Sequence, residues 1–116
     1  MKARIFHNPR CSKSRATLAI LESHGVDIEV VEYLKTPPSP TQLKALLGKL
    51  GIEARDLVRS GEPEFKAAGI DLDAGDSELI ELMAAHPKLI QRPIVEVGAR
   101  ATIGRPPEAV LDLIGA

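Results

Sequence analysis

The residues with the clearest chemical potential lie in one short string, His7-Asn8-Pro9-Arg10-Cys11-Ser12-Lys13-Ser14-Arg15, which holds the chain's only cysteine. Around that cysteine stand three cationic side chains, two serines, one asparagine, one proline, one histidine and no carboxylate. Sulfur is nucleophilic as the thiolate, and positive charge or N–H donors near it favour that form. A lone cysteine in an intracellular protein is by default a small buried apolar residue. Such a residue is expected among apolar neighbours, and here they are polar and cationic. The string therefore reads as a thiolate loop with Cys11 as nucleophile and His7 as its candidate activator. Arg10, Lys13 and Arg15 add positive charge, while His7 and Ser14 also fit local roles as hydrogen-bonding or capping residues of the loop.

Such a loop needs elements that leave backbone amides free at the sulfur. Ala3 to Phe6 reads as a strand and Ala16 to Glu22 has helix-forming composition, so Cys11 falls at a helix N-terminus. The unpaired amides and the positive end of the helix dipole there stabilise a thiolate and can also hold an oxyanion. Gly25 stops the helix, and Val26 to Tyr33 reads as a second strand. A right-handed β-α-β crossover makes the two strands parallel and puts the Cys11 loop at the carboxyl edge of the sheet, where ligands commonly bind.

Leu34 to Thr41 is a proline-rich connection expected to be non-helical. Leu43, Leu46, Leu47 and Leu50 then mark an amphipathic helix closed by Gly51, and 55–68 is expected as short helical pieces broken near Gly61 and Pro63. A further helix runs from about Ser77 and stops before Pro87. Ile94 to Val97 and Arg100 to Ile103 flank Gly98-Ala99 as a hairpin, and Arg105-Pro106-Pro107-Glu108 starts a last helix that buries Val110, Leu113 and Ile114. The order β-α-β, helical insertion, β-β-α predicts an α/β domain spanning 1–116: a mixed four-stranded sheet with flanking helices, the architecture of thioredoxin-like domains.

Two arginines stand before prolines at element starts, Arg92-Pro93 and Arg105-Pro106. Proline fixes the backbone and keeps the preceding residue extended, so each side chain projects from a rigid corner. Both are candidates to converge on the Cys11 loop, where a guanidinium binds a tetrahedral oxyanion through two parallel hydrogen bonds. Each taken alone also fits an ordinary solvated surface arginine.

Fifteen Lys and Arg against sixteen Asp and Glu give a net charge of −1, and only Phe6, Tyr33 and Phe65 are aromatic. That argues against nucleic acid as partner and for a small anion at the cationic loop. Three scattered histidines and one cysteine give no metal-ligand spacing. No apolar stretch reads as a signal peptide or membrane span, and a single cysteine suits a reducing cytoplasm.

Taken together, His7-Asn8-Pro9-x-Cys11-x-x-Ser14-Arg15, Tyr33-Leu34-x-Thr36-Pro37-Pro38, His86-Pro87-x-Leu89-Ile90-x-Arg92-Pro93-Ile94 and Gly104-Arg105-Pro106 resemble the glutaredoxin-coupled arsenate reductases. The resemblance implies a thioredoxin-like fold with a cis peptide before Pro93, and Cys11 as the residue that attacks arsenate. It implies a substrate-binding set of Arg59, Arg92 and Arg105, to which Ser14 and Arg15 of the loop are added. No bound cofactor is expected; glutathione enters as co-substrate and glutaredoxin as partner, because a chain with one cysteine cannot resolve its own adduct. Two alternatives share the fold. One is an Spx-type regulator that senses oxidation and binds RNA polymerase, against which the Ser14 in place of a second cysteine counts. The other is a reductase of a different thiol conjugate.

Overall fold

The computed structural model describes residues 1–115 and divides into two compact units, one formed by Met1–Thr36 with the described chain from Arg92 onward and the other by Pro37–Gln91. The first unit is built on a four-stranded sheet of β1 (Lys2–His7), β2 (Asp27–Glu32), β3 (Ile94–Val97) and β4 (Arg100–Ile103), in the order β2-β1-β3-β4. β1 is central, and accordingly Ile5, Phe6 and His7 are all buried. It runs parallel to β2, with Lys2 opposite Asp27 and His7 opposite Glu32. β3 is antiparallel to both β1 and β4, with Phe6 opposite Ile94 and Ile94 opposite Ile103. This register brings four chain segments to one edge of the sheet: the exits of β1, β2 and β4, and the entry to β3.

Helix α1 (Ser12–Ser23) is the crossover between β1 and β2, and it packs with the C-terminal helix against one face of the sheet. Ala3, Ile5, Leu21, Val95, Val110, Leu113 and Ile114 form the core there. Burying each of the larger side chains contributes about 1.5–3 kcal/mol. The β3–β4 hairpin turns at Gly98-Ala99, where Gly98 has φ +58 and no residue other than glycine has positive φ among the described residues. A positive φ at the first turn position only is what a type II′ turn requires.

The second unit is the helical insertion: α2 (Pro40–Leu50), α3 (Ala54–Leu57), α4 (Pro63–Ala67), α5 (Asp76–Ala85) and a closing 3₁₀ turn, Pro87–Leu89. α2 buries Leu43, Leu46 and Leu47, α5 buries Leu79, Ile80 and Met83, and α5 packs on α2 and α3. An isolated antiparallel bridge joins Val58 to Ile90, with the Arg59 N–H donating to the Leu89 carbonyl at 2.6 Å.

Two proline-rich segments depart from expectation for the same reason. Pro40 and Thr41 belong to α2, because the rule that keeps a residue before proline extended makes Ser39 (ψ 163) the N-cap and leaves Pro40 as the first helical residue. Ser39 Oγ accepts the Gln42 N–H at 3.1 Å, and Gln42 Oε1 accepts the Ser39 N–H at 2.9 Å, a reciprocal cap. At the other end, Pro107 keeps Pro106 extended (ψ 164), so the last helix cannot start at Arg105. A 3₁₀ turn, Pro107–Ala109, precedes α6 (Val110–Leu113).

Candidate active site

Cys11 is the N-cap of α1, in extended conformation (φ −93, ψ 122) and partly exposed. Its N–H donates to the Asn8 carbonyl at 3.0 Å, and Asn8 Oδ1 accepts the Arg10 N–H at 3.0 Å, which folds 8–11 into a tight turn. Arg15 reaches back from the helix and donates to the Pro9 carbonyl at 2.8 Å. Burial raises the thiol's pKa, but the Ser14 N–H, a hydrogen bond from the Arg92 side chain, the Lys13 N–H and the Arg92 charge outweigh it and hold it below the ordinary cysteine value. The cause is that a helix terminus and a guanidinium stabilise only the charged form.

Ser14 is fully buried. Its Oγ accepts the Asn8 N–H at 3.0 Å and lies 2.6 Å from His7 Nδ1. His7 is itself buried, and burial lowers its pKa; the charge of Glu32 raises it, and that of Arg15 lowers it further. A neutral ring whose Nδ1 accepts the Ser14 hydroxyl proton satisfies all three groups. These two residues fasten the loop to the end of β1. The sign of the linkage follows: the unfolded state takes up a proton near the reference value of about 6.5 before the folded state does. His7 therefore contributes stability above that pH and loses it as pH falls through the lower folded value. Urea midpoints measured from pH 7.5 downward are expected to fall through this window in the wild type and to fall less steeply in His7→Asn.

The two proline corners deliver their arginines to the same edge. The Arg92–Pro93 and Arg105–Pro106 peptide bonds are both cis. Arg105 Nε donates to the Arg92 carbonyl at 2.7 Å, and the Gly104 N–H donates to the Pro93 carbonyl at 2.9 Å, so the two corners are tied together. Gly104 is obligatory here: a Cβ would meet Thr17 Oγ1 at 2.5 Å and Pro93 Cγ at 2.8 Å. The glycine lets the β4 exit lie directly on α1 and on the β3 entry. Arg59 lies in the other unit, where its Nη2 pairs with Glu62 at 3.1 Å while its Nη1 is buried without a partner.

One residue of the site is absent from the sequence reading's candidates. Tyr33, directly after β2, is 1% exposed, and its hydroxyl is shut from solvent. Burial pushes its pKa up to about 12, against the charges of Arg92 and Arg105 and the nearby Asn8 side chain, and with the Cys11 charge raising it. A lone tyrosine at the end of the strand parallel to β1 was the available signal, since that register alone puts it at the edge occupied by Cys11.

The arrangement defines a class: a thioredoxin-like domain with one activated cysteine at a helix N-terminus, faced by arginines instead of a second thiol. The family model of the ArsC family matches residues 6–113. An arsenate reductase of Neisseria meningitidis serogroup A is 46% identical over 109 residues, covering 92% of this chain and 93% of its own. Escherichia coli K12 YfgD, described as an uncharacterized protein, is 47% identical over 116 residues, 98% of each chain. The solved structure of an arsenate reductase from Vibrio cholerae has a TM-score of 0.92 at 47% identity over 97% of both chains. The chain belongs to the ArsC family. Among the described residues no helix is long and apolar enough to cross a membrane.

Proposed function

We propose that the protein reduces arsenate to arsenite through a covalent Cys11–arsenic adduct, with electrons from glutathione and glutaredoxin. The observation that carries this reading is the depressed thiol of Cys11 under the Arg92 side chain, in a chain that shares 46% identity with a named arsenate reductase. Arsenate is a tetrahedral oxyanion at neutral pH. The Cys11 thiolate bonds to arsenic, one arsenate oxygen takes up protons and leaves as water, and Arg92, Arg105 and the α1 amides hold the remaining oxygens. Arg59 is carried only by its match to the family's oxyanion-binding arginines, and Arg15 supports the loop through its bond to the Pro9 carbonyl. Glutathione thiolate then bonds to the Cys11 sulfur, and the S–As bond pair leaves with arsenic, now As(III). The product on the protein is a Cys11–glutathione disulfide, which glutaredoxin exchanges back to the thiol. No resident cofactor takes part in this scheme, and it operates in the reducing cytoplasm.

The reading is tested with arsenate and glutathione in the absence of glutaredoxin. The protein is expected to gain the mass of one glutathione at Cys11 after a single equivalent of arsenite has formed, and glutaredoxin is expected to remove that mass as turnover resumes. Full turnover without any external thiol would overturn the electron route. No arsenite under either condition would overturn arsenate as substrate.

A further inference from the structure

Arg59 is held from both its backbone and its side chain within the helical unit. Its N–H donates to the Leu89 carbonyl at 2.6 Å, the Gln91 N–H donates to the Leu57 carbonyl at 2.9 Å, and the Val58–Ile90 bridge lies between them. The chain then turns. The Glu62 N–H donates to the Arg59 carbonyl at 3.3 Å, and Pro63 keeps Glu62 extended (ψ 146) as the N-cap of α4. That turn brings Glu62 Oε1 to 3.1 Å from Arg59 Nη2, with side chains 20% and 23% exposed respectively. Glu62 Oε2 stands 3.6 Å from Lys88 Nζ, which also reaches Glu64 Oε1 at 3.4 Å. The carboxylate is thus held between two cations, one oxygen toward each. Among the described residues nothing partners Arg59 Nη1, which is buried, and Arg59, Ser60, Glu62 and Gln91 line a polar pocket. A guanidinium with one arm fixed and a buried donor unmade on the other is held ready for an acceptor from outside.

We infer that Glu62 is a positioning residue for Arg59: its carboxylate takes the Nη2 arm, fixes the plane of the guanidinium and leaves the Nη1 edge to donate to a tetrahedral oxyanion. The work of Arg59 on an oxyanion rests on the function proposed above, whereas its pairing with Glu62 does not. A long side chain left free on a turn would have to be ordered when the anion arrives, and that cost would come out of affinity. The ion pair orders it beforehand. Lys88 draws on the same carboxylate, so Glu62 orients the guanidinium without cancelling its attraction for an anion.

KM and kcat for arsenate are measured with glutathione and glutaredoxin in excess, and the Kd for inorganic sulfate, a tetrahedral dianion, is measured by calorimetry at constant ionic strength. Glu62→Ala is expected to raise KM and the sulfate Kd about three- to tenfold, with kcat within about twofold of the wild type. Glu62→Gln keeps an oxygen that accepts the Arg59 N–H and is expected to recover most of the loss. Glu62→Asp keeps the charge but withdraws it by one methylene, so it is expected to behave as Ala; aspartate is a favoured N-cap residue, which secures the fold of this variant. In an Arg59→Ala background Glu62→Ala is expected to add nothing, since the group it positions is gone. Unchanged or lowered KM and Kd in Glu62→Ala would overturn the inference, the lowered values showing that the carboxylate competes with the anion. An equal loss in both backgrounds would overturn it too. Wild-type protein that binds sulfate with this pattern but forms no arsenite would overturn the proposed function and leave the role of Glu62 standing. Arsenate reduction that is blind to Glu62→Ala and Arg59→Ala would do the reverse, and a wild type that neither binds sulfate nor reduces arsenate would overturn both.

Discussion

Cys11→Ser is expected to abolish arsenite formation, to at or below about one thousandth of the wild-type rate, with the fold retained. The size of the effect comes from the chemistry. A serine hydroxyl at the N-cap of α1 meets the same amides and the same Arg92 side chain, but with a proton affinity far above that of a thiol it remains protonated. Even if an arsenate ester formed, its oxygen could not accept the incoming thiol to make a disulfide, so no electron pair could pass to arsenic. Serine is also a favoured N-cap residue, so thermal melting is expected to stay at or above that of the wild type. Arsenite release is measured with glutathione and glutaredoxin in excess, and intact mass with arsenate and glutathione alone. Sustained reduction by the Ser variant would show that Cys11 is not the nucleophile.

Arg92→Ala carries the second large effect, because this one side chain acts on two species. Its hydrogen bond and charge hold the Cys11 thiol down, and under the proposed function the same guanidinium grips the oxyanion. Each lost charge-assisted contact is worth about 1.5–3 kcal/mol, about tenfold to 150-fold in kcat/KM, and the loss of thiolate adds to it below the new pKa. The pH–rate profile is therefore expected to shift upward as well as fall, so the deficit is largest at low pH and narrows as pH rises. Arg92→Lys should restore part of the thiolate shift, which needs only a charge, but little of the oxyanion affinity, which needs a planar two-donor fork. Equal loss at all pH values would separate the arginine from the thiolate. Unaltered arsenate kinetics in the Ala variant would remove it from the site.

The loop explains why these two residues can be tuned so closely. His7, Asn8 and Ser14 are buried and mutually hydrogen-bonded, Arg15 ties the loop from the helix side, and Gly104 brings the Arg105 corner onto α1. Most of the polarity around the cysteine is thus scaffolding. The sulfur, the Lys13 and Ser14 amides and the Arg92 side chain remain as the chemically active surface. A site built this way holds its geometry before substrate arrives, which is the condition for electrostatic stabilisation to act without reorganisation.

The sequence by itself determined what local physics can determine. The cationic, carboxylate-free string fixed Cys11 as a thiolate candidate, and the strand-to-helix switch put it at a helix N-terminus. The alternation of β-α-β, helices and β-β-α was enough for the four-stranded sheet, because strand and helix periods and glycine or proline breaks are carried by near neighbours. Prolines marked where arginines would project, but the same residues misled at the boundaries. Whether Pro40 lies in a loop or opens α2 depends on the cap made by Ser39 and Gln42, and whether the last helix starts at Arg105 depends on Pro106 being held extended. Only the tertiary structure decided which side chains meet. Tyr33 joins Cys11, Arg92 and Arg105 through a register between strands distant in sequence, Ser14 turns inward to His7 instead of outward to solvent, and Gly104 is required by the approach of Thr17 and Pro93. Pairings of this kind are set by how sheet and helix pack, and no window of adjacent residues contains them.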